Sequence, residues 1–305
     1  MNIENTLWVE KYRPDTLEGY IGSEAIVSKV QSYIASGDIP HLLLYGKAGT
    51  GKTTLGKIVV NNIECDHMYI NASDENNVDT VRTKIRDFAS SMGFSPLKVV
   101  ILDEADYLTP NAQAALRNLM ETFSKTTRFI LTCNYVEKII DPIQSRCQVF
   151  GITPPSRKEV AIRLKHICDE ELVGNGPGYA QALVQIVQST YPDIRRAING
   201  LQRQIVDGRL VIDETSMLQA DWMNDLLKSI QANENISKMR QIVVDSKSTD
   251  FTDVYRFLYD NTDEYTTQTA EAIMYIAEAQ YKDAMVVDKE INIMALLVKL
   301  KETVK

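Results

Sequence analysis

Five short runs rich in apolar and β-branched residues punctuate the first half of the chain: Leu42–Tyr45, His67–Asn71, Lys98–Leu102, Arg128–Thr132 and Gln148–Ile152. Between them lie helical patterns of crossover length, so the spacing predicts a five-stranded, mostly parallel sheet with helices on both faces. At Thr153-Pro154-Pro155-Ser156 the pattern gives way to a linker. Residues 156–223 then read as short helices, broken at Gly174-Asn175-Gly176-Pro177-Gly178 and at Tyr191-Pro192. From 224 to 305 there is neither Gly nor Pro, and apolar residues recur at helical spacing: Val254, Phe257, Leu258 and Tyr265, then Ile273, Ile276 and Ala277. The expected organisation is an α/β domain over 1–152, a helical domain over 153–223 and a second helical domain over 224–305.

Composition narrows the class only a little. The 305 residues are 44% hydrophobic and 24% charged, which suits a globular protein with sizeable cores. No apolar run reaches the roughly 18 residues needed to cross a membrane. Met1–Glu10 lacks the basic start and apolar core of a secretory signal. Cys65, Cys133, Cys147 and Cys168 form no CxxC pair, which argues against a zinc module or disulfide scaffold and for a reducing compartment. A location in the cytoplasm, or in the nucleus of a nucleated cell, is expected, with no membrane partner. The net charge of −8 argues against bulk nucleic-acid binding but leaves room for a local basic face.

The chemistry begins where the first strand ends. Gly46-Lys47-Ala48-Gly49-Thr50-Gly51-Lys52-Thr53 matches GxxxxGK[ST] between an apolar strand and a helix, the context a phosphate-binding loop requires. Glycines let backbone N–H groups curl around phosphate oxygens, and the helix N-terminus adds partial positive charge. Lys52 is expected to reach the β- and γ-phosphates and the Thr53 hydroxyl to ligate Mg²⁺, with Thr54 next in line at the nucleotide. A later strand ends in Asp103-Glu104-Ala105-Asp106. Alone, such acids fit a solvated turn. About fifty residues after a P-loop, Asp103 is placed to hold Mg²⁺, directly or through water, and Glu104 to orient and deprotonate an attacking water. Asn134, at the end of the next strand, either hydrogen-bonds that water or the γ-phosphate, or caps a turn.

Four further segments, in order, carry a resemblance. Leu7-Trp8-Val9-Glu10-Lys11-Tyr12-Arg13-Pro14 with Tyr20-Ile21-Gly22, Asn134, Ser145-Arg146-Cys147, and Asp193-Ile194-Arg195-Arg196-Ala197 resemble the motifs of AAA+ ATPases. Within these they are most similar to sliding-clamp loaders, the replication factor C small subunits and T4-like phage clamp-loader ATPases. The resemblance covers most of the first 200 residues. It implies an AAA+ nucleotide-binding domain, an all-α lid and an all-α collar that holds subunits together. It places Val9, Tyr12, Arg13, Pro14 and Ile21 near the adenine, Asn134 as sensor 1 and Arg195 on the γ-phosphate in cis. Arg146 is implied to complete a neighbouring subunit's ATP site. The implied activity is DNA-stimulated ATP hydrolysis with ATP and Mg²⁺. The implied partners are other clamp-loader subunits in a pentameric ring, the sliding clamp and primer–template DNA.

The chain departs from the family in two places. It has no cysteine zinc module after the P-loop, which bacterial gamma-type loaders carry, and Ser73-Asp74-Glu75 is followed by Asn76-Asn77 where replication factor C usually has a basic residue. Arg82 and Arg86 are four apart and share a helix face, either solvated or following a DNA backbone. Gln113 and Arg117 have the same spacing on a helix that, in the family, couples DNA to the ATP site, and both are expected to contact DNA. Met92 and Phe94 lie among small polar residues and are expected either to pack in a core or to dock on the clamp. Three rival readings are a DEAD-box helicase, a non-catalytic AAA+ scaffold and another AAA+ motor such as an initiator or Holliday-junction enzyme. A helicase needs a second RecA-like domain, a scaffold would be expected to lose Lys52, Glu104 or Arg146, and the N-terminal segment with Ser145–Cys147 favours a loader over other motors.

Overall fold

In a computed structural model of the chain the described residues are 7–174, 178–206, 208–211, 214–246, 248 and 250–304. They form two compact units, Met1–Val211 and Ile212–Lys305.

The first unit is built on a parallel sheet of order β2-β3-β4-β1-β5. Its strands are β1 Leu42–Tyr45, β2 Cys65–Asn71, β3 Leu97–Asp103, β4 Thr127–Cys133 and β5 Gln148–Gly151. All five sequence runs are present, with β2, β3 and β4 extended beyond their expected ends. Side chains alternate between faces along each strand. Val99, Ile101 and Ile130 pack with Leu55, Ile58 and Val59 on one side. Val100, Leu102, Phe129 and Leu131 pack with Leu116, Leu119 and Met120 on the other. Burial on both faces explains why the strands read as continuous apolar runs.

Helices α1 (Trp8–Lys11) and α2 (Glu24–Ser36) precede the sheet, and α3 (Lys52–Asn61) follows β1. After β2 come α4 (Val78–Thr80), a π-helical turn over Val81–Ile85 and α5 (Arg86–Ser90). Helices α6 (Pro110–Thr122) and α7 (Asp141–Gln144) flank β4. Thr109 caps α6 by accepting from Ala112 N at 3.2 Å, with Pro110 in the first turn. From β1 the chain crosses out to β2, returns through β3 and β4, then passes over β1 to β5. The strand order therefore reverses at β1, and a crevice opens beyond the carboxyl ends of β1, β3 and β4.

After the irregular Thr153–Pro155, Ser156 opens α8 (Arg157–Glu170) with a capping box to Glu159. Helices α9 (Tyr179–Thr190) and α10 (Ile194–Arg203) complete the helical part, separated at Tyr191-Pro192 as expected. The other expected break includes 175–177, which lie outside the described residues.

The second unit holds α11 (Glu214–Gln231), α12 (Ile236–Asp245), α13 (Thr252–Asp260), α14 (Thr262–Tyr265), α15 (Thr269–Asp283) and α16 (Lys289–Thr303). Residue 223, the expected domain end, thus falls inside α11. Val254, Leu258, Tyr265 and Ile276 join its core. Ile273 and Ala277, read as part of that stripe, lie outside it. The buried residues of α15 are Ala272, Ile276, Ala279 and Asp283, and the small side chains of the two alanines let α16 approach. Among the described residues no helix is long and apolar enough to cross a membrane.

Candidate functional site

The loop between β1 and α3 makes the floor of the crevice. Gly49 and Gly51 take positive φ values of 73° and 93°, conformations that L side chains adopt at a cost. A Cβ on Gly49 would also lie 1.9 Å from Asp193 Oδ1, so any larger residue there would displace the Asp193 side chain. Lys52 is buried, and its ammonium donates to Gly46 O at 2.9 Å, Lys47 O at 2.8 Å and Asn134 Oδ1 at 2.8 Å. Burial pulls its pKa below the ordinary lysine value, against the upward pull of Cys133, Asp103 and Asp106. The amine is therefore desolvated but held by neutral acceptors that a phosphate would outcompete.

The acids lie opposite. Asp103 Oδ1 accepts the Thr53 hydroxyl at 2.7 Å and also the Thr132 hydroxyl, while Oδ2 accepts Tyr69 OH at 2.6 Å. Glu104 sits at φ 56°, ψ 41°, a left-handed conformation uncommon outside glycine and typical of functional strain. Its N–H donates to Thr132 Oγ1 at 3.1 Å, and its side chain lines the crevice. Asp106 faces inward, and its Oδ2 accepts the N–H groups of Asn134 and Tyr135, both at 3.3 Å. It thereby fixes the loop that presents Asn134 to Lys52. A hydroxyl and a carboxylate this close form an all-oxygen donor pair suited to Mg²⁺. Among the described residues no group of three or more His, Cys, Asp or Glu could hold a metal.

The walls come from the N-terminal segment, α8 and α10. Val9, Tyr12, Arg13, Pro14 and Ile21 line the crevice, as does Thr54. That segment is strapped to the helices: Trp8 N donates to Gln202 Oε1 at 3.1 Å, Tyr12 OH to Glu171 at 2.9 Å, and Arg163 to Tyr12 O at 2.7 Å. Ile194 N donates to Gly49 O at 3.1 Å, seating the start of α10 on the phosphate loop. Arg195 lines the mouth and has no hydrogen bond among the described residues. Gly46 and Lys47 contribute carbonyls to Lys52 but are not part of the wall.

Sequence reasoning missed Gly19, Tyr20, Thr132, Cys133, Arg163, Ile194 and Ile198, which also line the crevice. Thr132, Cys133, Ile194 and Ile198 neighbour motif residues, so strand alternation and helical spacing could have flagged them. Arg163 carries no local signal. Tyr20 lies under the loop, where its ring would be 3.0 Å from a Cβ on Gly51, and burial pushes its hydroxyl up to about 12.

Arg146 stands apart from this crevice. At the end of α7 it is exposed, ion-paired with Glu121, and donates to Pro142 O at 2.6 Å. Arg82 and Arg86 are exposed with no partner among the described residues, and Lys84 pairs with Glu75 at 2.6 Å. Arg117 is half-buried and bonded to Asn118. Gln113 corrects its expected role. It is 2% exposed, donates to Leu108 O and Lys138 O, and accepts from Ile140 N, so its amide is spent inside the fold and does not face DNA. Met92 and Phe94 are fully exposed, which excludes core packing. Their loop is pinned beneath by Asp66, which accepts Phe94 N at 2.8 Å, and by buried Lys98, which donates to Phe88 O at 2.7 Å.

Residues 42–154 match the ATPase family associated with various cellular activities (AAA). The fold is similar to that of the Thermotoga maritima RuvB Holliday junction branch migration motor. One structure of it gives a TM-score of 0.53 at 19% identity, over 72% of this chain and 79% of that one. A variant of the motor gives 0.55 at 16% identity, over 92% and 90%. Sheet, phosphate loop and acidic strand end thus define an AAA ATPase, a nucleotide-binding ATP hydrolase. Replication factor C small subunits are similar at much higher sequence identity. That of Natronomonas pharaonis is 35% identical over 96% of this chain and 94% of the relative. That of Sulfurisphaera tokodaii is 36% identical over 97% and 95%, and that of Halobacterium salinarum 46% over 68% and 66%. The chain belongs to the replication factor C small subunit family and is an ATPase subunit of a sliding-clamp loader.

Proposed function

We propose that the crevice binds ATP with Mg²⁺, and that hydrolysis there requires an arginine from a neighbouring subunit. The observation that carries this reading is the separation of Arg146 from every other proposed participant. Lys52, Thr53, Asp103, Glu104, Asn134 and Arg195 share one crevice, whereas Arg146 is exposed just beyond the end of α7.

In the proposed reaction the γ-phosphate takes the place of the Lys52 acceptors, and Lys52 and Arg195 balance its charge. Thr53 and Asp103 would hold Mg²⁺, which neutralises charge building on the phosphate oxygens. Water attacks the γ-phosphorus as the bond to the β-phosphate oxygen breaks. Glu104 accepts the water's proton, and Asn134 orients the nucleophile. The adenine would lie against Val9, Tyr12, Pro14 and Ile21, with Arg13 beside it. Arg146, offered in trans, makes turnover depend on assembly, because an arginine finger contributes about 10³–10⁵ in rate.

The α/β layer is proposed as the nucleotide-binding domain, α8–α10 as the lid and the second unit as the collar of a pentameric ring with other loader subunits. Arg82 and Arg86, with Arg117, are proposed to follow the phosphates of primer–template DNA, which needs charge and donors but no sequence code. Met92 and Phe94 are proposed to anchor in an apolar pocket of the sliding clamp. ATP binding would open the clamp, and DNA-triggered hydrolysis would release it. The setting is the compartment where DNA is replicated, cytoplasm or nucleus.

The test is ATPase activity of the chain alone and with candidate partner subunits, each with and without primed DNA and clamp. Full activity of the lone chain, unaltered by partners, DNA or clamp, would refute the shared-site reading.

A further inference from the structure

Asp103 is gripped by hydroxyls from three separate elements, of which only Thr53 belongs to the phosphate loop. The other two, Tyr69 on β2 and Thr132 on β4, come from the strands on either side of β3. Their placement follows from register. Parallel pairing sets Asn71 beside Asp103 and Tyr69 beside Ile101. Tyr69 is therefore one alternation back on the face that carries Asp103. Thr132 is two residues beyond Ile130, which packs on that face with Ile101. The carboxylate is bracketed left and right by donors whose backbones the sheet holds fixed.

The two hydroxyls differ in surroundings. Thr132 is 1% exposed, and its oxygen both donates to Asp103 and accepts the N–H of Glu104 at 3.1 Å. One hydroxyl thus ties the carboxylate to the left-handed residue beside it. The Tyr69 ring is 45% exposed, with Lys57 Nζ 5.2 Å from its centroid, and its OH takes the carboxylate oxygen that the threonines leave free. A carboxylate's terminal torsion is broad when nothing constrains it. Donors on both oxygens remove that freedom before any ligand arrives, which is how outer contacts tune a cation site.

We propose that Tyr69 and Thr132 are positioning residues of the cation site, orienting Asp103 for Mg²⁺. The inference rests on the proposed pairing of Thr53 and Asp103 at that cation. Tyr69 does not line the crevice, so nucleotide binding without Mg²⁺ is independent of it.

The experiment titrates Mg²⁺ into the full chain with a fluorescent ATP analogue, after measuring the analogue's affinity in chelator. Asp103→Ala is the control for the cation site itself and is expected to abolish the Mg²⁺-dependent gain in affinity. Tyr69→Phe is expected to raise the half-saturating Mg²⁺ concentration roughly tenfold while leaving affinity in chelator unchanged. Thr132→Val is expected to shift the midpoint in the same direction and Thr132→Ser to restore it. If Asp103→Ala keeps the wild-type Mg²⁺ response, the underlying cation-site reading is wrong. If Asp103→Ala loses it while Tyr69→Phe and Thr132→Val follow the wild-type curve, the positioning role is overturned.

Discussion

Arg146 is ion-paired with Glu121, a carboxylate of its own chain 25 residues earlier. On the proposed reading the same guanidinium completes a neighbour's ATP site, so assembly exchanges one oxyanion for another. The pair is half-exposed, and such pairs contribute about 0–1 kcal/mol. That is small against the effect of an arginine finger. Arg146→Ala is therefore expected to lower turnover of the assembled loader by about 10³ or more, with nucleotide affinity of the isolated chain unchanged. Glu121→Gln should alter turnover by no more than about fivefold. Steady-state ATPase assays of reconstituted assemblies check both, and wild-type turnover with Arg146→Ala would remove the trans role.

Glu104 is held by its backbone, through its left-handed conformation and its N–H bond to Thr132, and its side chain has no hydrogen bond among the described residues. Glu104→Gln keeps the shape and removes the base. ATP affinity should stay within about twofold while turnover falls by roughly 10²–10⁴. Equilibrium binding and single-turnover hydrolysis on the same preparation separate the two effects.

The contrast between Gln113 and Arg82 shows what spacing conveys. Both are assigned to faces by an interval of four. The interval carries no information about whether a face meets water. Gln113 lies among Ala112, Ala115 and Leu116 on the buried stripe of α6, and its amide ties α6 to the chain ahead of α7. The phosphate loop and the acidic strand end were legible because they are contiguous, with chemistry set by local backbone. Arg163 was not, because it reaches the crevice only through the docking of α8 on the N-terminal segment. Thr132 and Tyr69 fall between. Alternation gives their face, but only the strand order makes them neighbours of Asp103.

Gln113→Ala is accordingly expected to act on stability. It leaves Leu108 O, Lys138 O and Ile140 N without their amide partner, and each unsatisfied buried group costs about 1–3 kcal/mol, partly relieved by water. A net loss of about 2–4 kcal/mol is expected, read from urea unfolding. Arg82→Ala and Arg86→Ala should leave unfolding unchanged within about 0.5 kcal/mol, since both are exposed and have no partner among the described residues. They should instead lower affinity of the assembled loader for primed DNA and flatten its salt dependence.

His41 makes stability depend on pH. Its Nδ1 accepts Phe129 N at 3.1 Å, which requires the neutral ring with the proton on Nε2. Burial, with Arg128 nearby, lowers its pKa from 6.5 to about 4. Above its ordinary pKa both folded and unfolded chains hold the ring neutral, and this stabilising contact is fully present. Between 6.5 and about 4 the unfolded chain takes up a proton that the folded chain refuses, so stability falls as pH falls; below about 4 the loss levels off. His41→Gln retains an acceptor for Phe129 N and does not titrate. The variant should lose less stability than the wild type on going from about pH 7.5 to about pH 5, with other groups common to both cancelling in the difference. The readout is the urea midpoint for loss of nucleotide binding at each pH, and parallel pH profiles for the two proteins would show that His41 is not the group responsible.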